Sequence, residues 1–207
     1  MPQPLSRVSP NASVVIGNAG DRPISRHPEL AILAIEAIAS WSNVESFMLN
    51  TFVHLLGGSK NLACDVFLSL ESQSAKTAAI NAAANSALAG KPELNLLKAL
   101  LGIANTNSKS RNKLAHWTWG GSPNIPDAVL LVDPKATLDD INREEIFVYK
   151  RSDFESIISE NDKLCGHFLS FRFILMNHPA NRDGRLYDEL SREPTIQERL
   201  NRLNRKA

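Results

Sequence analysis

The alternation of apolar and polar positions is most regular between residues 28 and 56, where apolar side chains recur at helical spacing. Pro28 fits the first position of a helix, and Glu29 suits the positive end of the helix dipole. Gly57 and Gly58 then end the repeat. The pattern therefore predicts one long core helix over residues 28–56. Its apolar positions are Leu30, Leu33, Ile38, Trp41, Val44, Met48, Phe52, Leu55 and Leu56.

Further helical segments follow before residue 117. Ser59 is a candidate N-cap for a helix that runs to Leu70. The alanine-rich residues 75–89 favour a helix that packs closely on others, and leucines recur at helical spacing from 92 to 104. Residues 105–108 are poor helix formers and good capping residues. The last helix therefore either breaks there, with Asn107 or Ser108 capping a new helix, or continues through a strained turn. The positions expected to point inward after Ser59 are Leu62, Val66, Phe67 and Leu70.

The helical repeat is lost between residues 122 and 151, where prolines exclude a continuous helix. Two short runs in this region, 128–132 and 145–149, are rich in β-branched or aromatic residues. They predict a two-stranded β pairing. Because an isolated pair of strands is marginally stable, we expect it to rest on the helices.

The remaining chain is predicted to be helical and increasingly charged. A capping box from Ser152 to Glu155 predicts a second long helix, which ends near His178. Residues 179–207 carry many charges, and Pro194 interrupts them. A narrow apolar stripe there predicts a helical tail that docks on a partner, on a second protomer or along RNA. The stripe consists of Ile196, Leu200 and Leu203.

These patterns together predict an all-α fold. Residues 1–27 are rich in proline, serine, asparagine and glycine, which indicates an extended or mobile arm. Residues 28–178 form a bundle of about five core helices with a short two-stranded β insertion at 122–151. Residues 179–207 form the charged helical tail.

Composition narrows the functional classes. A chain of 207 residues buries a sizeable core, and its net charge of +1 means that any attraction to nucleic acid must be local. Cys64 and Cys165 lie far apart with apolar neighbours, which indicates buried thiols in a reducing compartment. The chain has no zinc-binding spacing, no signal-peptide pattern and no apolar run of about 18 residues. We therefore expect a soluble cytoplasmic protein without a metal or another cofactor.

Candidate chemistry is concentrated in residues 108–119. Asn112 and His116 are four residues apart, so on a helix they fall on nearly the same face. Arg111 lies about 140° around the helix from His116. The arginine and the histidine can therefore act on one group if the arginine curls around the helix, or if a second copy of the helix faces the first.

These residue types suit cleavage of an RNA backbone without a metal. A histidine moves protons near neutral pH, so His116 would deprotonate the ribose 2′-hydroxyl or protonate the leaving 5′-oxygen. The planar guanidinium of Arg111 would stabilise charge on the phosphate oxygens, and Asn112 would orient the histidine or bind a phosphate oxygen. The alternative is a helix end with a capping histidine and a solvated arginine.

The surroundings of the segment add candidate substrate contacts. Five lysines or arginines oppose one acid between residues 91 and 116, and Lys109 and Lys113 lie within the segment itself. Trp117 would stack on an unpaired base, or else pack the helix end against the core. Glu45 would face the same site, or else remain a solvated charge, and Lys76 would reach a phosphate or remain exposed.

The motif Arg111-Asn112-x-x-Ala115-His116, near the end of a helical segment, resembles that of the HEPN superfamily of prokaryotic ribonucleases and nucleotide-binding domains. In that family a polar residue, often asparagine, follows the arginine, and a short spacer precedes the histidine. Residues 41–47 are also similar to the first long helix of several HEPN families. The resemblance covers roughly residues 28–178.

The resemblance implies a homodimer whose two motif helices face each other across a cleft. It also implies a metal-independent endoribonuclease in a toxin or antiviral-defence setting, with RNA as substrate and an antitoxin as a candidate partner. One rival interpretation is a non-catalytic HEPN-like module that binds RNA, a nucleotide or a protein. Another is a structural dimer in which Arg111 pairs with an acid such as Glu45.

Overall fold

The computed structural model describes residues 1–17, 21–138 and 140–205. Residues 18–20 of the predicted arm, residue 139 of the predicted β insertion and residues 206–207 of the predicted tail lie outside the described residues. The structure is 71% helical, so the mostly helical character predicted from the sequence is confirmed. A five-stranded antiparallel sheet accompanies the helices.

The longest elements are three helices of 24 to 29 residues. Short 3-10 helices lie at Pro23–Arg26, Pro134–Thr137, Arg143–Glu145 and Pro179–Gly184. In chain order the other elements are β1 (Gln3–Pro4), α1 (Leu5–Val8), β2 (Val15–Ile16), α2 (Pro28–Leu56), α3 (Lys60–Leu68), α4 (Gln73–Ala87), α5 (Glu93–His116), β3 (Thr118–Gly121), β4 (Ala128–Val132), β5 (Ile146–Lys150), α6 (Arg151–Leu175), α7 (Arg185–Arg192) and α8 (Pro194–Asn204).

The chain folds as two units. The first comprises Met1–Trp41 and Lys109–Glu160, and the second comprises Ser42–Ser108 and Asn161–Ala207. Helices α2, α5 and α6 each contribute residues to both units. This grouping does not follow the segment boundaries at residues 28 and 178 that the sequence pattern predicts.

The first unit is built on the sheet, whose strand order is β1-β5-β4-β3-β2. The central strand β4 is buried at all five positions because both of its faces are covered. Val129 and Leu131 pack against apolar residues of α2, α5 and α6. Leu130 and Val132 point to the opposite face, where Leu5 of α1 is fully buried.

The interpretation of residues 1–27 as an extended or mobile arm is therefore wrong for the described residues. Strand β1 pairs with β5, and β2 pairs with β3. Gly120 permits the second pairing, because a Cβ at this position would lie 2.9 Å from the carbonyl oxygen of Val15. The sequence pattern missed these strands because each is only two residues long.

The predicted pairing of residues 128–132 with residues 145–149 is present as the β4–β5 ladder, in which Leu130 lies opposite Val148. The description of the β region as two-stranded is wrong, since three other strands extend it. Helix α6 follows β5 directly and begins at Arg151, one residue before the expected cap. The Asp153 carboxylate accepts the Lys150 backbone N–H at 3.0 Å, because Asp153 lies where an acidic side chain can reach the free N–H groups of the helix start.

The second unit is helical. Its fully buried side chains include Met48, Phe67 and Phe168, and the rings of Phe52 and Phe67 lie 5.6 Å apart between centroids. Ser59 caps α3 as predicted, accepting the Leu62 N–H at 3.4 Å. Two of the positions expected to point inward on α3 do not. Leu62 and Val66 are exposed, because α3 buries the face that carries Phe67.

The charged tail packs on its own chain. Helix α8 buries Ile196 completely, and its Arg199 guanidinium donates to the Thr106 hydroxyl of α5 at 2.8 Å. The tail thus docks within the second unit of its own chain. The sequence pattern predicted docking on a partner, on a second protomer or along RNA, and this arrangement is none of the three.

Helix α2 has the predicted bounds, Pro28 to Leu56, and Gly57 follows with a positive φ of 64°. Its length, and a mean hydropathy of 1.2 over an 18-residue stretch, meet the test of length and composition for a membrane span. Core helices of soluble proteins pass the same test, and Trp41, Val44 and Met48 of α2 are buried inside the protein. One third of that 18-residue stretch is buried inside the protein.

Candidate functional site

The candidate motif lies on the last turns of α5, which is one continuous helix. Of the two alternatives predicted for residues 105–108, continuation is the one observed. The polar side chains of this stretch find partners without ending the helix. The Ser108 hydroxyl donates to the Asn105 carbonyl at 3.1 Å, and the buried Asn107 amide donates to Asn161 at 3.2 Å. Asn107 finds its partner on another helix and Ser108 bonds back to its own helix, and neither side chain interrupts α5.

Leu114 sets the rotation of the helix end. It is 1% exposed and packs in the cluster that contains Val129 and Leu131 of the sheet. Asn112 and His116 each lie about 160° around the helix from Leu114, and both are exposed. Burial of the leucine therefore turns the amide and the imidazole outward together.

Lys109 and Arg111 take different positions relative to this outward face. Lys109 is exposed and lies about 20° around the helix from His116, so it shares the face of the imidazole. Arg111 lies about 60° from Leu114 and is partly buried at the side of the helix. The structure thus groups Lys109, Asn112 and His116 on one surface, whereas Arg111 lies towards the buried side of the helix.

The backbone at His116 is held on both sides. His116 is the last residue of α5, and the Trp117 N–H still donates to the Lys113 carbonyl at 3.0 Å. The next residues enter β3, where Thr118 pairs with Val132 of the central strand. The imidazole is therefore an exposed side chain on a backbone that is fixed by a helix before it and a sheet after it.

Lys113, the second lysine of the segment, lies over two aromatic rings. Its ammonium lies 4.6 Å from the centroid of the Trp117 ring and 4.2 Å from that of Phe147, which are cation–π distances. Burial lowers the pKa of Lys113, although the nearby Asp133 carboxylate partly opposes this effect. The ammonium is thus engaged by two rings of the protein, and its expected contact with substrate stays a prediction.

Trp117 follows the packing alternative. Its ring is partly buried and lies 5.7 Å from the Phe147 ring, between centroids, at an interplanar angle of 49°. With Lys113 on one side and Phe147 on another, the indole attaches the end of α5 to strand β5. Base stacking by this tryptophan is therefore not supported by its surroundings.

Glu45 and Lys76 form an ion pair in the second unit. The Lys76 ammonium donates to Glu45 at 2.8 Å, and the side chains are 15% and 25% exposed for Lys76 and Glu45. Lys76 also lies 5.6 Å from the centroid of the Phe67 ring. The expectation that Lys76 is an exposed lysine is wrong. Glu45, expected either as a substrate contact or as a solvated charge, is the partner of that lysine.

A charged cavity of about 630 Å³ in the first unit escaped the sequence analysis. It lies where α2 and α6 begin and is lined by His27, Glu29, Asp127, Lys150 and Arg151 among others. Arg151 pairs with Glu29 at 2.5 Å, and Lys150 pairs with Asp127 at 2.8 Å. No local pattern could reveal it, because its two sides, residues 27–30 and residues within 126–155, are about 100 positions apart in the chain.

The described residues contain no group of three or more histidine, cysteine or carboxylate side chains placed to hold a metal ion. In comparisons with known proteins, no family model, curated protein or solved structure matches the chain.

Proposed function

We propose that this protein is a metal-independent endoribonuclease of HEPN type, with its site at the end of α5. The observation that supports this proposal is the outward face on which Asn112 and His116 are exposed together, opposite the buried Leu114. A general acid or base must reach its substrate in a defined direction, and here the helix and the sheet fix the backbone that carries the imidazole. The resemblance of the Arg-Asn-x-x-Ala-His motif to the HEPN motif is the reason for proposing RNA cleavage as the reaction.

The reaction is an internal transesterification. The ribose 2′-oxygen attacks the adjacent phosphorus, so that a 2′-O–P bond forms and the P–O5′ bond breaks. His116 accepts the proton of the 2′-hydroxyl or donates a proton to the leaving 5′-oxygen, while Arg111 stabilises the charge on the phosphate oxygens. Asn112 orients the imidazole or binds a phosphate oxygen. The products are 2′,3′-cyclic phosphate and 5′-hydroxyl ends, and DNA is inert because it lacks the 2′-hydroxyl.

The proposal includes a homodimer with the site at the interface. The reaction needs one proton removed and one supplied, and each chain offers one histidine in the motif. The angle between Arg111 and His116 on one helix, about 140°, also favours an arrangement in which the arginine of one copy serves the histidine of the other. Lys109, on the face of His116, supplies local attraction for the RNA backbone in a nearly neutral protein.

The test is cleavage of single-stranded RNA in the presence of EDTA. We expect His116→Ala and Arg111→Ala each to reduce the cleavage rate by about 10²- to 10⁴-fold. His54→Ala is the matched control, because His54 is also an exposed histidine in the last turn of a long helix. If His116→Ala cleaves RNA like the wild type, the catalytic assignment is wrong. Wild-type RNA binding without cleavage, lost in Arg111→Ala, would instead identify a non-catalytic HEPN-like module.

The proposed cellular setting is a cytoplasmic toxin or antiviral-defence effector. A ribonuclease of this kind restricts growth, so its producer needs a means of holding it inactive, such as an antitoxin. Induced expression of the wild-type protein should slow bacterial growth, and expression of His116→Ala at equal abundance should not. Equal growth of the two cultures would argue against this setting.

A further inference from the structure

Three cations meet between α5 and α8 in the second unit. They line a cavity of about 190 Å³, whose walls are Lys98, Ala99, Gly102, Arg199, Arg202 and Leu203. The cavity lies outside the motif at the end of α5, and the proposed reaction does not use it.

The positive charge of this cavity is incompletely balanced. Arg202 pairs with Glu198, one turn before it on α8. In the part of the chain that the structure describes, neither Lys98 nor Arg199 forms a salt bridge with a carboxylate. Burial, together with the positive charge of Arg202, lowers the pKa of Arg199, against the opposing effect of Glu198. Like charges held close at a partly buried position favour the binding of an anion between them.

Contacts with α5 fix the position of the Arg199 guanidinium. Its Nη2 donates to the Thr106 hydroxyl at 2.8 Å. Gly102 leaves the space for the other terminal nitrogen, since a Cβ at that position would lie 2.7 Å from Nη1. Among the described residues, the Arg199 side chain donates through Nη2 to Thr106 alone, so Nε and Nη1 remain as donors for a ligand.

We propose that this cavity binds a phosphate group, held by Lys98, Arg199 and Arg202. The cavity is smaller than the roughly 300–1,000 Å³ of cavities that enclose whole drug-sized molecules, which suits a single anionic group. A tetrahedral phosphate presents oxygens in several directions and can accept from cations on two helices. A planar carboxylate presents two oxygens in one plane and fits a single arginine fork better. The phosphate belongs to a free phosphate compound or to an RNA backbone.

The first experiment measures thermal unfolding of the full chain with increasing inorganic phosphate, against chloride at equal ionic strength. We expect phosphate to raise the wild-type Tm, because a ligand that binds only the folded state stabilises it. Arg199→Gln and Lys98→Gln should each weaken the apparent phosphate affinity by about tenfold or more, the usual effect of losing a charge-assisted hydrogen bond. Arg192→Gln is the matched control, since it removes an exposed arginine of α7 and leaves the cavity intact.

A purely structural role for Arg199 predicts a different result. The Tm of Arg199→Gln would then fall equally with and without phosphate, and the shift produced by phosphate would match that of the wild type. That result, or a wild-type Tm that responds to phosphate no more than to chloride, would overturn the proposal. Should Arg199→Gln fail to fold, Gly102→Ala provides the same test, because its Cβ displaces the guanidinium.

A second arm distinguishes the sources of the phosphate. It uses a short single-stranded oligoribonucleotide and the His116→Ala background, so that cleavage does not interfere. If the oligonucleotide binds through this cavity, inorganic phosphate competes with it and Arg199→Gln weakens it. Oligonucleotide binding that is insensitive to both identifies a free phosphate compound as the ligand. Neither arm measures cleavage, so this proposal and the ribonuclease proposal can fail independently.

Discussion

The variant Lys113→Gln tests whether Lys113 stabilises the fold or binds substrate. Lys113 lies over two rings, 4.6 Å from the centroid of Trp117 and 4.2 Å from that of Phe147. A cation–π contact contributes roughly 0.5–1 kcal/mol at an exposed position and about 2 kcal/mol when desolvated. Lys113 is partly buried, so the two contacts together stabilise the fold by about 1–2 kcal/mol.

Part of this stabilisation is offset, because burial of the ammonium also has a cost, which is visible in its lowered pKa. We therefore expect Lys113→Gln to lower the free energy of unfolding by about 1 kcal/mol, or the Tm by about 2–4 °C for a chain of this size. Chemical and thermal unfolding followed by circular dichroism measure both quantities. RNA affinity should stay within about twofold of the wild type, because the ammonium is engaged by the rings.

Lys109→Gln is the matched control and should behave in the opposite way. Lys109 is exposed on the face of His116, so its loss should leave stability within about 0.5 kcal/mol of the wild type while RNA affinity falls and depends less steeply on salt. If Lys113→Gln is as stable as the wild type, and its RNA affinity falls as far as that of Lys109→Gln, the assignment of Lys113 to the aromatic pair is wrong.

Two further predictions concern charges in the second unit. Burial alone would raise the pKa of Glu193, but hydrogen bonds from Lys163, Thr195 and Ile196 outweigh it and lower the pKa from 4.5 to about 2. A carboxyl whose pKa is lower in the folded state contributes stability that is complete above pH 4.5 and is lost as the pH falls towards 2. Glu193→Gln should therefore lose less stability than the wild type over that interval in urea titrations, and parallel curves for the two proteins would contradict this. The Glu45–Lys76 ion pair is partly buried. A double-mutant cycle with Glu45→Gln and Lys76→Gln should therefore give a coupling free energy of about 1 kcal/mol. A value near zero would show that the pair adds nothing to stability.

Helix boundaries are the part of this fold that the sequence predicts best. The bounds of α2 were expected at residues 28 and 56 and are observed there. The reason is local: helical hydrogen bonds join residues four apart, and Pro28 and Gly57 act at the ends without distant partners. The same locality places Asn112 and His116 on one face of α5, and the structure adds that Leu114 turns this face outward.

Most of the sheet could not be predicted without the tertiary structure. Strands β1 and β2 have two residues each, and their pairing partners lie more than 100 residues away in the chain. So short a segment carries no periodicity, and its hydrogen bonds are supplied by strands that local patterns cannot locate. The β4–β5 pairing could be predicted from the sequence because both strands are longer and strongly apolar.

The sequence by itself determined which residues form the long helices and that the arginine, amide and imidazole of the motif share one of them. Only the tertiary structure decided which charges remain free for a ligand. In the folded chain Lys113 lies over two rings and Lys76 pairs with Glu45, whereas Lys109 and His116 are exposed. The physical reason is that a helix is specified by neighbours in the chain, whereas burial and ion pairing depend on residues that only folding brings together.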